Sequence, residues 1–107
     1  MKLTAAESLK RALKLIQKGW TQGTLARDQK GAEVSSSSRS AVQWCALGAL
    51  TAYKAADDIE AAQFIRRCIP ARYDNCVSDW NDSPRRTKQE VISVFKKAIK
   101  LAEAQTA

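Results

Sequence analysis

Histidine is missing from all 107 residues of this chain, and no other absence excludes as much. Without an imidazole there is no Ser-His or Cys-His nucleophile pair, no His-ligated metal and no His general base. Three cysteines, Cys45, Cys68 and Cys76, cannot all pair within one chain, and their spacings fit no zinc ribbon or finger. The opening stretch Met1-Lys-Leu-Thr-Ala-Ala-Glu7 lacks an apolar signal-peptide core. The expected location is therefore the cytoplasm, with reduced thiols. No run approaches the roughly 18 consecutive apolar residues of a membrane span, so no membrane partner is expected. Neither a cofactor nor a metal has a recognisable donor set.

What is present is charge of one sign. Eighteen Lys and Arg stand against eleven Asp and Glu, a net charge of +7, which points to an acidic partner, either a nucleic acid or an acidic protein face. Residues 1–20 carry five Lys/Arg against one Glu, and residues 91–107 three Lys against one Glu. Residues 57–69 carry three acids against two arginines. The excess thus falls mostly on the two ends of the chain. The length suits one domain with a modest core.

Thr4 and Glu7 form a capping box ahead of Leu9, Ala12, Leu13 and Ile16, which predicts a helix over about 4–18 with one apolar stripe. Lys10, Arg11, Lys14 and Lys18 occupy its outer face. Gly19 suits a left-handed helix end, with Trp20 folding back on the last turn. Residues 20–39 read as an irregular excursion with a short hairpin across Asp28-Gln-Lys-Gly31 and a flexible serine linker, Ser35 to Ser38. Ser40 and Gln43 form a further capping box, and the segment 40–55 is apolar on nearly every side. That predicts a central helix on which the others pack. Asp57-Asp-Ile-Glu60 opens a third helix over about 58–69, with Ile59 on its buried side and Pro70 as its stop. Residues 70–87 are irregular. Thr87 and Glu90 cap a last helix over about 88–104, with Val91, Phe95, Ala98, Ile99 and Ala102 inward and Lys96, Lys97 and Lys100 outward. The expected fold is one mainly α domain over 1–107, a small bundle of about four helices around a central apolar helix.

Four stretches, Gly19-Trp-Thr-Gln-Gly23, Trp44-Cys-Ala-Leu-Gly-Ala49, Trp80-Asn-Asp82 and Thr87-x-x-Glu-Val91, occur in that order. Together they resemble a family of small uncharacterised domains encoded by bacteria and their phages, over roughly Leu9 to Ala102. The resemblance implies that Trp20, Cys45, Gly48, Trp80, Asn81 and Asp82 form one constellation. It also implies a phage or mobile-element setting, in which small proteins act on host machinery. It transfers no catalytic residue.

Each candidate site has a plainer reading beside it. Cys45 near a helix start feels the dipole, which favours the thiolate, yet buried free cysteine is common packing; with no histidine, packing is the expected role. Trp20, Trp44, Gly48 and Phe95 join it as structural core. Trp80, Asn81 and Asp82 either offer an amide and a carboxylate at a pocket rim or make Asx turns and caps, with Pro84 at a first helical position. Asp79, Asn81, Ser83, Thr87 and Glu90 follow a calcium-loop spacing, but Pro84 stands where the loop needs glycine, and two arginines follow it. Lys10, Arg11, Lys14, Lys18, Lys96, Lys97 and Lys100 merge into one patch if the terminal helices lie side by side; otherwise they keep outer faces solvated. The expected function is a non-enzymatic binding protein docking on a host protein or protein complex, in the manner of an anti-CRISPR inhibitor. Alternatives are a nucleic-acid-binding module and, less favoured, an enzyme centred on Cys45.

Overall fold

A computed structural model describes residues 3–106. Helix α1 spans Ala5–Lys18, and both halves of its capping box form between Thr4 and Glu7. Lys10 meets Glu103 at 2.8 Å and Lys88 donates to the Gln17 carbonyl at 2.8 Å. These contacts set α1 antiparallel to helix α5, Lys88–Thr106, along the most extensive helix pairing of the fold. Helix α3, Asp58–Arg66, packs against both α5 and α1. The Asp57 amide donates to Ser8 Oγ at 2.8 Å, which fixes the start of α3 against α1 and satisfies a buried hydroxyl.

The stretch expected as a helix over 40–55 divides instead. Gln43–Trp44 is strand β3, Cys45 is an N-cap, and helix α2 covers only Ala46–Thr51. The cause is non-local pairing. Strand β1, Ala26–Arg27, pairs antiparallel with β2, Glu33–Val34, on one side and with β3 on the other. The sheet order is therefore β2-β1-β3. Trp20 and Trp44 add a parallel bridge, Trp44 N–H donating to the Gly19 carbonyl at 3.0 Å and Thr21 N–H to the Trp44 carbonyl at 3.1 Å. Backbone ladder bonds at Gln43 and Trp44 displace the local capping-box geometry that Ser40 and Gln43 imitate.

Two further expectations in this half are corrected. Gly19 is extended, with φ −173, so it is not a left-handed stop. A Cβ there would overlap the Val42 carbonyl, and close approach of backbone is what requires the glycine. The serine run is ordered: Ser36 is buried, its hydroxyl meets Thr51 at 3.0 Å, and its carbonyl accepts from Trp44 Nε1 at 3.0 Å. The expected hairpin across Asp28–Gly31 forms as β1 and β2, and β3 supplies the third strand that an isolated hairpin lacks.

Residues 67–87 also hold more structure than expected. Asp74 and Asn75 take left-handed backbone after a 3-10 turn, Ala71–Tyr73. Helix α4, Val77–Asn81, follows and ends at Asp82, so Pro84 comes after a helix and opens none. Among the described residues the fold is thus mainly α, with five helices and a small sheet. The core runs from Leu9, Ala12 and Ile16 through Ala46 and Leu50 to Ile65, Val91, Phe95 and Ala98. Ile59, expected inward, is 72% exposed. The shared core sits between α1, α3 and α5, so α2 is one contributor to it and not its post. No helix among the described residues is long and apolar enough to cross a membrane.

Candidate functional site

Three of the four sequence stretches, those around Trp20, Trp44 and Trp80, converge on the side chain of Asn81, which is fully buried. Its Oδ1 accepts from Trp20 Nε1 at 2.9 Å and from the Ala46 amide at 3.0 Å. Its Nδ2 donates to the Thr21 carbonyl at 3.2 Å and to Asp82 Oδ1 at 2.9 Å. An amide side chain has two acceptor lone pairs and two donor hydrogens. All four are used within the fold, joining the end of α1, the start of α2 and the end of α4.

The neighbours extend the same logic. Asp82 also accepts from the Gly23 amide at 3.0 Å, where φ of +83 favours glycine. Gln22 Nε2 donates to the carbonyls of Asn81 and Ser83, both at 2.9 Å. Arg27 spends its guanidinium on Thr21 Oγ1 at 2.9 Å, Gly31 O at 3.1 Å and Gln22 O at 3.0 Å. These are positions that the sequence reading passed over, and a Gln or Arg in an irregular stretch carries no local signal of such bonds. Trp80 is 2% exposed and stands in the core. The Trp80-Asn-Asp unit therefore acts as a clasp, and Asp82 is its exposed member.

Cys45 caps α2, its Sγ accepting from the Gly48 amide at 3.2 Å. Gly48 has no room for a Cβ, which would overlap the Leu25 carbonyl. Burial pushes the Cys45 thiol above its ordinary value; hydrogen bonds from Gly48 and Leu47 oppose this, and the nearby Asp82 charge adds to the rise. Cys45 and Asp82 border one cleft of about 170 Å³, yet both burial and charge there disfavour a thiolate.

The calcium-like spacing is taken apart by the fold. Thr87 and Glu90 cap α5 reciprocally, at 2.9 and 3.2 Å, while Asn81 points into the clasp. Among the described residues no three His, Cys, Asp or Glu side chains converge as metal ligands.

The basic residues divide between two flanks. At 100° per residue, Lys96 shares the flank of α5 that carries Glu103 and faces α1, and Lys97 shares the flank of Glu90 and Val94. Lys10 is paired with Glu103, and Arg11 lies over the Tyr53 ring at 5.1 Å. Lys14, Lys18, Lys96 and Lys100 are exposed. Lys2, counted in the N-terminal excess, lies outside the described residues. Lys97 instead borders a groove of about 350 Å³ with Cys68, Pro70, Trp80, Arg86 and Val94.

That groove adjoins a group of arginines that the sequence reading did not single out. Five of the chain's eight arginines fall within residues 66–86, a signal that was available. Arg86 lies over the Trp80 ring at 4.7 Å and the Tyr73 ring at 5.6 Å. Its Nη2 donates to the Tyr73 hydroxyl at 2.9 Å. Arg72 covers the same ring at 5.0 Å. The Tyr73 phenol is held below its ordinary value by its bond to Ser83 and then by Arg72.

No curated protein and no solved structure shows a significant match to the chain. A sequence model of a family of unknown function, DUF6197, matches residues 1–101. That span takes in the clasp, the capped helix starts and the groove beside Lys97, and the chain belongs to this family.

Proposed function

We propose that the protein is a non-enzymatic binding module that docks on an acidic face of a protein partner. One observation carries the reading: a net charge of +7, with Lys14, Lys18, Lys96, Lys97 and Lys100 all exposed. The ion pairs formed among the described residues are Lys10 with Glu103 and Arg86 with Glu90. Such a surface attracts an acidic partner and speeds encounter with it. The polar side chains best placed for chemistry are meanwhile spent on the clasp, and the Cys45 thiol is driven toward its protonated form. In its finer form the partner is a host protein complex in the cytoplasm, bound by an inhibitor of the anti-CRISPR type. The support for that form is the phage and mobile-element setting of the domains that the sequence resembles.

Affinity capture from a nuclease-treated bacterial lysate tests the reading. Acidic proteins retained at low salt and released as salt rises are the expected result. Nothing retained above the bare resin contradicts it.

A second reading has its own observation, the antiparallel packing of α1 on α5 that sets their lysine faces side by side. It makes this face a phosphate-binding surface for nucleic acid. A gel-shift series decides it. The reading expects a shift at low salt that is lost in a variant with Lys10, Arg11 and Lys14 changed to Glu. No shift at low salt removes it.

A further inference from the structure

We infer that the groove between the C-terminal end of α3 and the outer flank of α5 is the docking site for an acidic, extended protein segment with an apolar anchor. This rests on the acidic-partner reading above and gives it a place and a ligand chemistry. The groove is formed by the way α3 stops. Its helical bonds end near Arg67, and the chain leaves through Ile69 and Pro70. Pro70 and Cys68 are thereby left as one wall. Val94, one helical turn before Lys97 on α5, forms the other. Trp80 also lines the groove, with the guanidinium of Arg86 over its indole at 4.7 Å. The cavity of about 350 Å³ is large enough for an aliphatic side chain and its neighbours in an extended segment.

Charge identifies the occupant. Lys97 and Arg86 border the groove, and the charges of Lys97 and Arg67 both act on the Cys68 thiol in its wall. The one carboxylate among the lining residues is Glu90. It is already engaged by Arg86 at 3.4 Å and by the Thr87 amide at 2.9 Å. Arg86 and Glu90 offset each other, so the net positive charge of the rim rests on Lys97, while Cys68, Pro70 and Val94 give the groove an apolar side. A peptide that alternates acids with an aliphatic residue meets both features at once: side chains on one edge of an extended chain enter the groove while its carboxylates reach the rim. A nucleic-acid backbone would satisfy the rim but leave the Pro70–Val94 cleft unfilled, so the protein segment is the better fit.

The test uses the full chain and a short fluorescein-labelled peptide that alternates Glu with Leu. Saturable anisotropy at low salt is expected. Lys97→Glu and Ser93→Trp, the latter filling the groove from an exposed lining position, should each weaken binding about tenfold. Lys96→Glu makes the same charge change on the α1 flank and should have little effect. Replacing Leu by Gly in the peptide should also weaken binding about tenfold. Alkylation of Cys68, followed by peptide mapping, should slow when the peptide is saturating. Thermal melts confirm that the variants are folded, and Lys97→Gln serves if Lys97→Glu is not.

Three results overturn the inference. If Lys96→Glu weakens binding as much as Lys97→Glu, or if Cys68 alkylation is unchanged, the peptide binds elsewhere, and the acidic-partner reading survives without this site. If a labelled single-stranded oligodeoxynucleotide binds more tightly and displaces the peptide, the groove belongs to nucleic acid. If the peptide does not bind at all, the site is lost, while capture of acidic proteins from the lysate still judges the broader reading independently.

Discussion

The clasp around Asn81 and the groove beside Lys97 share Trp80 and both draw on polar side chains, but they use them oppositely. In the clasp every polar atom of Asn81 is bonded inside the protein, and the amide is fully buried. In the groove, Lys97 borders an open cleft with Pro70 and Val94 in its lining, and Cys68 and Arg86 are only partly buried. A buried polar network that is fully satisfied rigidifies a fold. Cations left around an open cleft retain interactions for a partner. A pointed polar motif in a sequence can thus mark the place where a fold is tied together, with binding relegated to less conspicuous residues.

Breaking the clasp should give the largest effect. Asn81→Leu leaves the Trp20 indole N–H, the Ala46 amide and the Thr21 carbonyl without partners. At roughly 1–3 kcal/mol for each buried orphaned group, the loss is about 3 kcal/mol or more, read as a fall in the urea midpoint. Asn81→Asp keeps the acceptors, loses both donors and faces Asp82, and should also destabilise. Next comes Gly48→Ala, whose added methyl meets the Leu25 carbonyl and should cost about 1–3 kcal/mol by overpacking. Cys45→Ala should cost about 1 kcal/mol, a typical core loss, and leave peptide binding unchanged.

The pH dependence sharpens the contrast between buried and exposed groups. The folded Cys45 thiol titrates above its ordinary value of 9.0. Its contribution to stability is therefore complete below that value and is lost as pH rises through the folded pKa. Urea midpoints should fall above about pH 9, and less so in Cys45→Ala. Glu7 and Glu90 are held below 4.5, first by their backbone bonds to Thr4 and Thr87. Their contribution is present above 4.5 and lost as pH falls through the folded values. The smallest effect expected is that of Lys10→Ala. Its ion pair with Glu103 is half exposed on both sides, and the change in stability should stay within about 0.5 kcal/mol.

The same two regions show how much was legible in the sequence. The starts of α1 and α5 were readable because a capping box and a 3.6-residue stripe are local signals, and both are realised. The meeting of Trp20, Cys45, Gly48, Trp80, Asn81 and Asp82 was implied by the resemblance. That the meeting is a saturated clasp was not readable, because its bonds span as many as 61 residues. The helix expected over 40–55 misled for a related reason. Ser40 and Gln43 have the right spacing for a cap, but Gln43 pairs with Arg27 and Trp44 with Ala26. No local pattern announces that pairing. The groove was hidden because its walls come from Pro70, Trp80 and Val94, three elements apart in the chain.

One titration tests the division between clasp and groove most directly: the Glu-Leu peptide against the wild type, Asp82→Ala and Lys97→Glu, with a urea midpoint measured for each. Asp82 accepts the Gly23 amide within the clasp, and Lys97 borders the groove. The account predicts that Asp82→Ala lowers the midpoint and keeps the affinity, while Lys97→Glu lowers the affinity about tenfold and keeps the midpoint. An Asp82→Ala variant of undiminished stability that no longer binds the peptide would place the binding site at the clasp and contradict it.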